Sequence, residues 1–126
     1  MSIITEYLSE VKKLIDDTPL KLSTKIYEEN RGEVALYLKG EIVFPDLSEL
    51  HFKEYFIAVP FLNKLAYSYH YHNRNKELIF RFDNAEHHQE IKTCPYHKHI
   101  KGIVLPAEET SLKEVLTEIL NILPKS

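Results

Sequence analysis

Apolar residues at the start of the chain recur at spacings of three and four. Ile4, Tyr7, Leu8, Val11, Leu14 and Ile15 therefore share one face of a predicted helix. Thr18-Pro19 ends it, because the residue before proline avoids the helical region. The period then falls to two, the signature of strands. Leu22, Thr24 and Ile26 alternate with Ser23, Lys25 and Tyr27, and Asn30-Arg31-Gly32 reads as a turn. Val34, Leu36, Leu38, Gly40, Ile42 and Phe44 mark a second strand, closed by Pro45-Asp46. Leu50, Phe52, Phe56 and Ala58 mark a third, which turns between Pro60 and Asn63. Leu65, Tyr67, Tyr69 and Tyr71 mark a fourth, alternating with Ala66, Ser68, His70 and His72. After a polar tip, Asn73-Arg74-Asn75-Lys76, the residues Leu78, Phe80 and Phe82 mark a fifth.

Short turns between consecutive strands give antiparallel neighbours, since a parallel crossover needs a dozen or more residues. Residues 83–109 read as irregular, polar and His-rich. A last helix is predicted from Thr110 or Ser111, where Ser111 and Glu114 fit a capping box. Leu112, Val115, Leu116, Ile119 and Leu120 form its apolar stripe, and Pro124 ends it. The prediction is a single α+β domain over 1–126, in the order αβββββα. It is a five-stranded antiparallel meander with the N- and C-terminal amphipathic helices on one face. Such a sheet has two open edges, through which a homodimer could pair.

Composition is ordinary for a globular protein, with 44% hydrophobic and 28% charged residues. Sixteen Lys and Arg against nineteen Asp and Glu give a net charge of −3. That balance argues against coating nucleic acid by bulk charge. No apolar run approaches the ~20 residues of a membrane helix, and the first residues show no basic, apolar leader pattern. Cys94 is the one cysteine, so no internal disulfide forms, and a reducing, cytoplasmic location is expected. Histidine alone stands out. Six of the seven, His70, His72, His87, His88, His97 and His99, fall within one short stretch.

If Asn73–Lys76 is the hairpin tip, His72 pairs with Glu77, His70 with Ile79 and Ser68 with Arg81. His70, His72 and Arg81 then share one sheet face. Tyr67, Tyr69, Tyr71, Leu78, Phe80 and Phe82 share the other, the predicted core. Asp83 and Asn84 sit at the strand exit, followed by His87 and His88. Residues 91–101 carry Lys92, Lys98 and Lys101 and no acid.

Three chemistries suit this set. The first is acid–base cleavage of a phosphodiester, with one imidazole as base, one as acid, and a cation for the developing charge. The second is a zinc or manganese site, from a His-x-His pair, a third histidine and Asp83; His87 and His88 are the candidate ligands for a hydrolase or transferase of this kind. The third is a Cys94 nucleophile beside a histidine, for which no signature is present. Ordinary roles compete with each. Strand histidines are often half-exposed structural residues, His51 reads as structural, and Arg81 could pair with Glu77 or Glu54. A non-enzymatic protein-binding module would use the same surface as an interface.

The stretches Tyr67-Ser68-Tyr69-His70-Tyr71-His72, Glu77 to Ala85, His87-His88 and Pro95-Tyr96-His97-Lys98-His99 together resemble the core motif of the TumE-type toxin family. The N-terminal helix, the strand around Leu36 to Gly40, the segment Ser48 to Tyr55 and the C-terminal helix fit as well. Phe82 stands where that family often has Tyr, and Glu86 where it often has Pro. The resemblance implies the toxin half of a toxin–antitoxin pair, with a cognate antitoxin encoded nearby, and carries no catalytic assignment.

Together these readings predict a cytoplasmic toxin that cleaves RNA. His70 and His97 are the expected acid–base pair, with His99 as a further catalytic candidate and Asp83 orienting a histidine. Arg81 and Lys98 are the expected phosphate contacts, and Asn84, His72 and Lys101 complete the substrate-binding set.

Overall fold

Helix α1 spans Ile3–Asp17 because its first amides are capped and one face is apolar. The Ser2 hydroxyl accepts from the Thr5 amide at 3.1 Å. Ile4, Leu8, Val11 and Ile15 are buried, and Thr18 closes the helix. In this computed structural model residues 2–84 and 96–124 are described. The sheet follows as β1 (Ser23–Arg31), β2 (Ala35–Val43), β3 (Glu49–Ile57), β4 (Asn63–His72), β5 (Leu78–Asp83), β6 (His97–Ile100) and β7 (Ile103–Pro106). Each strand pairs antiparallel with the next, giving the spatial order β1 to β7. Helix α2, Leu112–Ile122, starts at an N-cap Ser111 that accepts from the Glu114 amide at 3.4 Å.

The α+β meander and its two helices match the sequence reading, but the sheet has seven strands rather than five. The two missed strands are four residues each and read His-Lys-His-Ile and Ile-Val-Leu-Pro. Neither is long enough for its period to show. The local signal was the turn between them. Lys101 and Gly102 both have positive φ, 48° and 78°, the backbone of a two-residue hairpin turn.

The β4–β5 register also differs from expectation. His70 pairs with Arg81, Tyr71 with Phe80 and Ser68 with Asp83. The tip is longer, closed by the Asn73 amide bonding the Glu77 carbonyl at 2.9 Å. From Ser68 to Tyr71 the slip is two residues, so His70, Arg81, Tyr71 and Phe80 keep their expected faces, whereas a bulge between Tyr71 and His72 sets Leu78, expected in the core, opposite His72.

One sheet face carries Leu36, Leu38, Ile42, Leu50, Phe52, Tyr69, Tyr71 and Phe80, which join the buried helix residues in one core. Glu54 is also on that face and only 1% exposed. The hydroxyls of Tyr7 and Tyr69 both donate to its carboxylate. Lys64 Nζ lies 3.8 Å from it and donates to Tyr69 Oη at 2.8 Å and to the Thr110 carbonyl at 2.7 Å. Burial, then the Glu54 charge, pushes both tyrosine hydroxyls up, so they remain donors. This buried ionic group ties α1, β3 and β4 to the approach to α2. Among the described residues both helices pack on this core face, and the opposite face is open.

Candidate functional site

Alternation decides which side chains reach the open face. On β3, Glu49, His51 and Lys53 alternate with the core residues Leu50, Phe52 and Glu54. The ladder then aligns them across strands: Lys25 with Glu41, Glu41 with His51, His51 with His70, His70 with Arg81, and Arg81 with His99. Two residues along, on the same face, Tyr27 pairs with Lys39, Lys39 with Lys53, Lys53 with Ser68, Ser68 with Asp83, and Asp83 with His97. The sheet between β1 and β5 forms a cleft of about 570 Å³ over these rows. Its walls carry four cations, Lys25, Lys39, Lys53 and Arg81, one carboxylate, Glu41, and the imidazoles of His51 and His70. An acidic chain thus presents a basic cleft.

His51 stands between two carboxylates, with Nδ1 3.4 Å from Glu41 and Nε2 3.0 Å from Glu49. Its ring also stacks on His72, centroids 5.3 Å apart. The two carboxylates and the stack hold the imidazole in one orientation. His70 is different. Its Nδ1 lies 3.5 Å from the Arg81 guanidinium. Burial first, then Arg81, His72 and His51, lowers its affinity for a proton. His70 is therefore the neutral, proton-accepting imidazole of the cleft at neutral pH.

Behind Arg81 lies Asp83, 4% exposed. Arg81 Nε donates to its Oδ2 at 3.0 Å. His99 Nε2 lies 3.1 Å from the same oxygen, and His97 Nε2 lies 2.6 Å from Oδ1. His97 and His99 are two apart on β6, and their rings meet edge to face at 5.0 Å. His97 has no exposed surface. Burial lowers the His99 pKa, partly offset by Asp83.

The residues singled out in the sequence thus separate into groups. His70 and Arg81 line the cleft, and Arg81 pairs with Asp83 rather than with Glu77 or Glu54. Asp83, His97 and His99 meet next to it. His72 is on the same face, largely buried, and its Nδ1 donates to the Asn73 carbonyl at 2.8 Å. Asn84 bonds the backbone of β4 instead, donating to the Leu65 carbonyl at 2.9 Å and accepting from the Tyr67 amide at 3.0 Å. Lys98 points to the other side of the sheet. It lies 4.7 Å from the Phe82 ring centre and 2.8 Å from Glu118 of α2. Lys101 is exposed in the β6–β7 turn. His87, His88, Lys92 and Cys94 lie outside the described residues.

Sequence reasoning passed over His51, Lys25, Lys39 and Lys53. Their alternation against core residues was visible, and short turns already made β2, β3 and β4 neighbours. Counting register outward from His70 would have reached His51. The long-range pairing that brings these rows together around one cleft has no local signal.

Basic open face and helix-backed sheet together describe a small α+β protein with an anion-attracting cleft. The family model described as "Toxin TumE" matches residues 11–124 of the 126, and the chain belongs to the TumE toxin family. A toxin of this kind works against an antitoxin partner. No curated protein and no solved structure matches the chain. No helix among the described residues is long and apolar enough to cross a membrane.

Proposed function

We propose that this toxin acts on RNA, cleaving phosphodiester bonds by imidazole acid–base catalysis in the open-face cleft. The observation that carries the reading is the pairing of His51 with His70 across β3 and β4, beside Arg81 and three lysines, in a chain of net charge −3. His70 accepts the proton of a ribose 2′-hydroxyl, whose oxygen attacks the adjacent phosphorus. Arg81 binds the charge that develops on the phosphoryl oxygens. His51 returns a proton to the departing 5′-oxygen, leaving a 2′,3′-cyclic phosphate and a 5′-hydroxyl. Asp83 is a positioning residue, because its bond to Nε fixes the Arg81 guanidinium at the cleft wall. His97 is fully enclosed, so its part is to hold Asp83, and His51 takes the second proton-transfer role.

The test is twofold. Purified protein is incubated with single-stranded RNA and with the 2′-deoxy equivalent, and the ends of the products are identified. Wild type is expected to yield cyclic phosphates from RNA alone. His70→Ala and His51→Ala are each expected to lower cleavage by a factor of about 10²–10⁴. In a heterologous host, wild type is expected to stop growth and the soluble variants to relieve the arrest. Folded variants that cleave and arrest growth as wild type does would overturn the reading.

A further inference from the structure

The enclosed group beside the cleft is not needed for proton transfer by His51 and His70. Asp83 and His97 sit directly opposite each other on β5 and β6, and His99 projects from the same face of β6. One ligating atom from each of the three lies within 4.8 Å of the others. Asp83 is 4% exposed and His97 0%. Two imidazoles converge on one carboxylate, whose Oδ2 accepts a bond from Arg81 and whose Oδ1 faces His97. We propose that Asp83, His97 and His99 bind a divalent transition-metal ion, zinc before manganese or iron.

The donor set is two neutral nitrogens and one carboxylate oxygen, which zinc takes in tetrahedral sites with a fourth position open. Ligands at zinc bond lengths stand roughly 3.3 Å apart in a tetrahedron. The His97 Nε2–Oδ1 pair at 2.6 Å needs to open by only a fraction of that, and the His99 donor stands within 4.8 Å of the other two. A His-x-His pair on one strand with the carboxylate on the next holds three ligands on rigid backbone. Arg81 then acts as the outer partner of the ligating carboxylate, the arrangement that orients metal-bound side chains. For such donors the affinity order places zinc above iron and manganese. The ion joins β5 to β6, with His99 the more exposed of its two imidazoles. The other group of ligating type, Glu49, His51 and His72, is less suited. His51 already faces two carboxylates, and His72 has spent Nδ1 on a backbone carbonyl.

The test uses the untagged full chain, stripped with a chelator, exposed to zinc and desalted. Wild type is expected to retain about one equivalent of zinc. His99→Gln is expected to lose most of it, because that residue is partly exposed and its replacement keeps the Asp83–Arg81 bond. His72→Gln is expected to retain it. A readout without substitutions is the ring resonances of the histidines, where zinc should shift those of His97 and His99 and leave that of His72. Wild type that takes up no zinc, zinc that shifts other histidines, or a folded His99→Gln that keeps the full equivalent would each overturn the site. None of these measurements involves RNA, so the result is separate from the fate of the cleavage reading.

Discussion

His70 concentrates the chemistry of the cleft in a single residue. Its folded-state pKa lies below the unfolded value because burial, then Arg81, His72 and His51, disfavour the imidazolium. The unfolded chain therefore binds the proton first as pH falls below about 6.5. The sign follows from linkage: above that value His70 adds no pH dependence, and below it stability is lost as pH drops. Urea unfolding midpoints at pH 7.5 and 5.5 are expected to fall on acidification, and to fall less in His70→Gln. The same lowered pKa sets activity. Because His70 must be neutral to accept a proton, the acid limb of kcat/KM for RNA cleavage is expected below about pH 6.5. A pH–rate profile measures it directly. Lys98 behaves in the opposite way. Its place in a basic stretch suggested phosphate contact, yet its strand parity turns it to Glu118 and two phenylalanine rings.

Among the elements, β2 and β3 show how backbone and side chain share space. A Cβ on Gly40 would stand 2.4 Å from Phe52 Cζ and 3.1 Å from the Lys25 carbonyl oxygen. Phe52 is 1% exposed, so its ring must shift within the packed sheet to make room. Gly40→Ala is expected to destabilise by about 1–3 kcal/mol, the usual range for overpacking. Adding Phe52→Leu should recover part of that loss, since residues in contact are not additive; chemical denaturation of the single and double variants measures both. The element boundaries of α1 and α2 were legible because caps and prolines mark them. The first five strands were legible because each is long enough to alternate. The β6–β7 hairpin was not, because four-residue strands rich in histidine and lysine look like loop, and only the Lys101-Gly102 turn betrays them.

Considered as one molecule, the protein separates its charges. A net charge of −3 coexists with a cleft walled by four cations and one carboxylate. If single-stranded RNA neutralises those four, log affinity should fall with log salt at a slope of about −3, from roughly 0.7 per phosphate contact. Binding titrations across a range of salt measure it, and Lys53→Ala should flatten the slope by roughly 0.7. On the far side of the sheet, Glu54 and Lys64 form a buried pair under the helices, with side chains 0% and 11% exposed. Removing one partner leaves the other charged and enclosed. Lys64→Met is expected to cost about 3–5 kcal/mol in urea unfolding. Because this pair joins α1, β3, β4 and the entry to α2, the loss should appear as one cooperative transition shifted to lower urea.

Periodicity is a local property, so the chain by itself determined the helices, the first five strands of the meander and the faces of most of their residues. It also placed His70, His72 and Arg81 together, because an even slip in register leaves faces unchanged. Tertiary structure decided what depends on several strands at once. Which rows align across β1 to β5, where the cleft opens over them, and how deeply Asp83 and His97 are enclosed all follow from sheet geometry summed over distant residues. His51 belonged to that second group. It alternates like any other strand residue, and only the register between β3 and β4 sets it opposite His70.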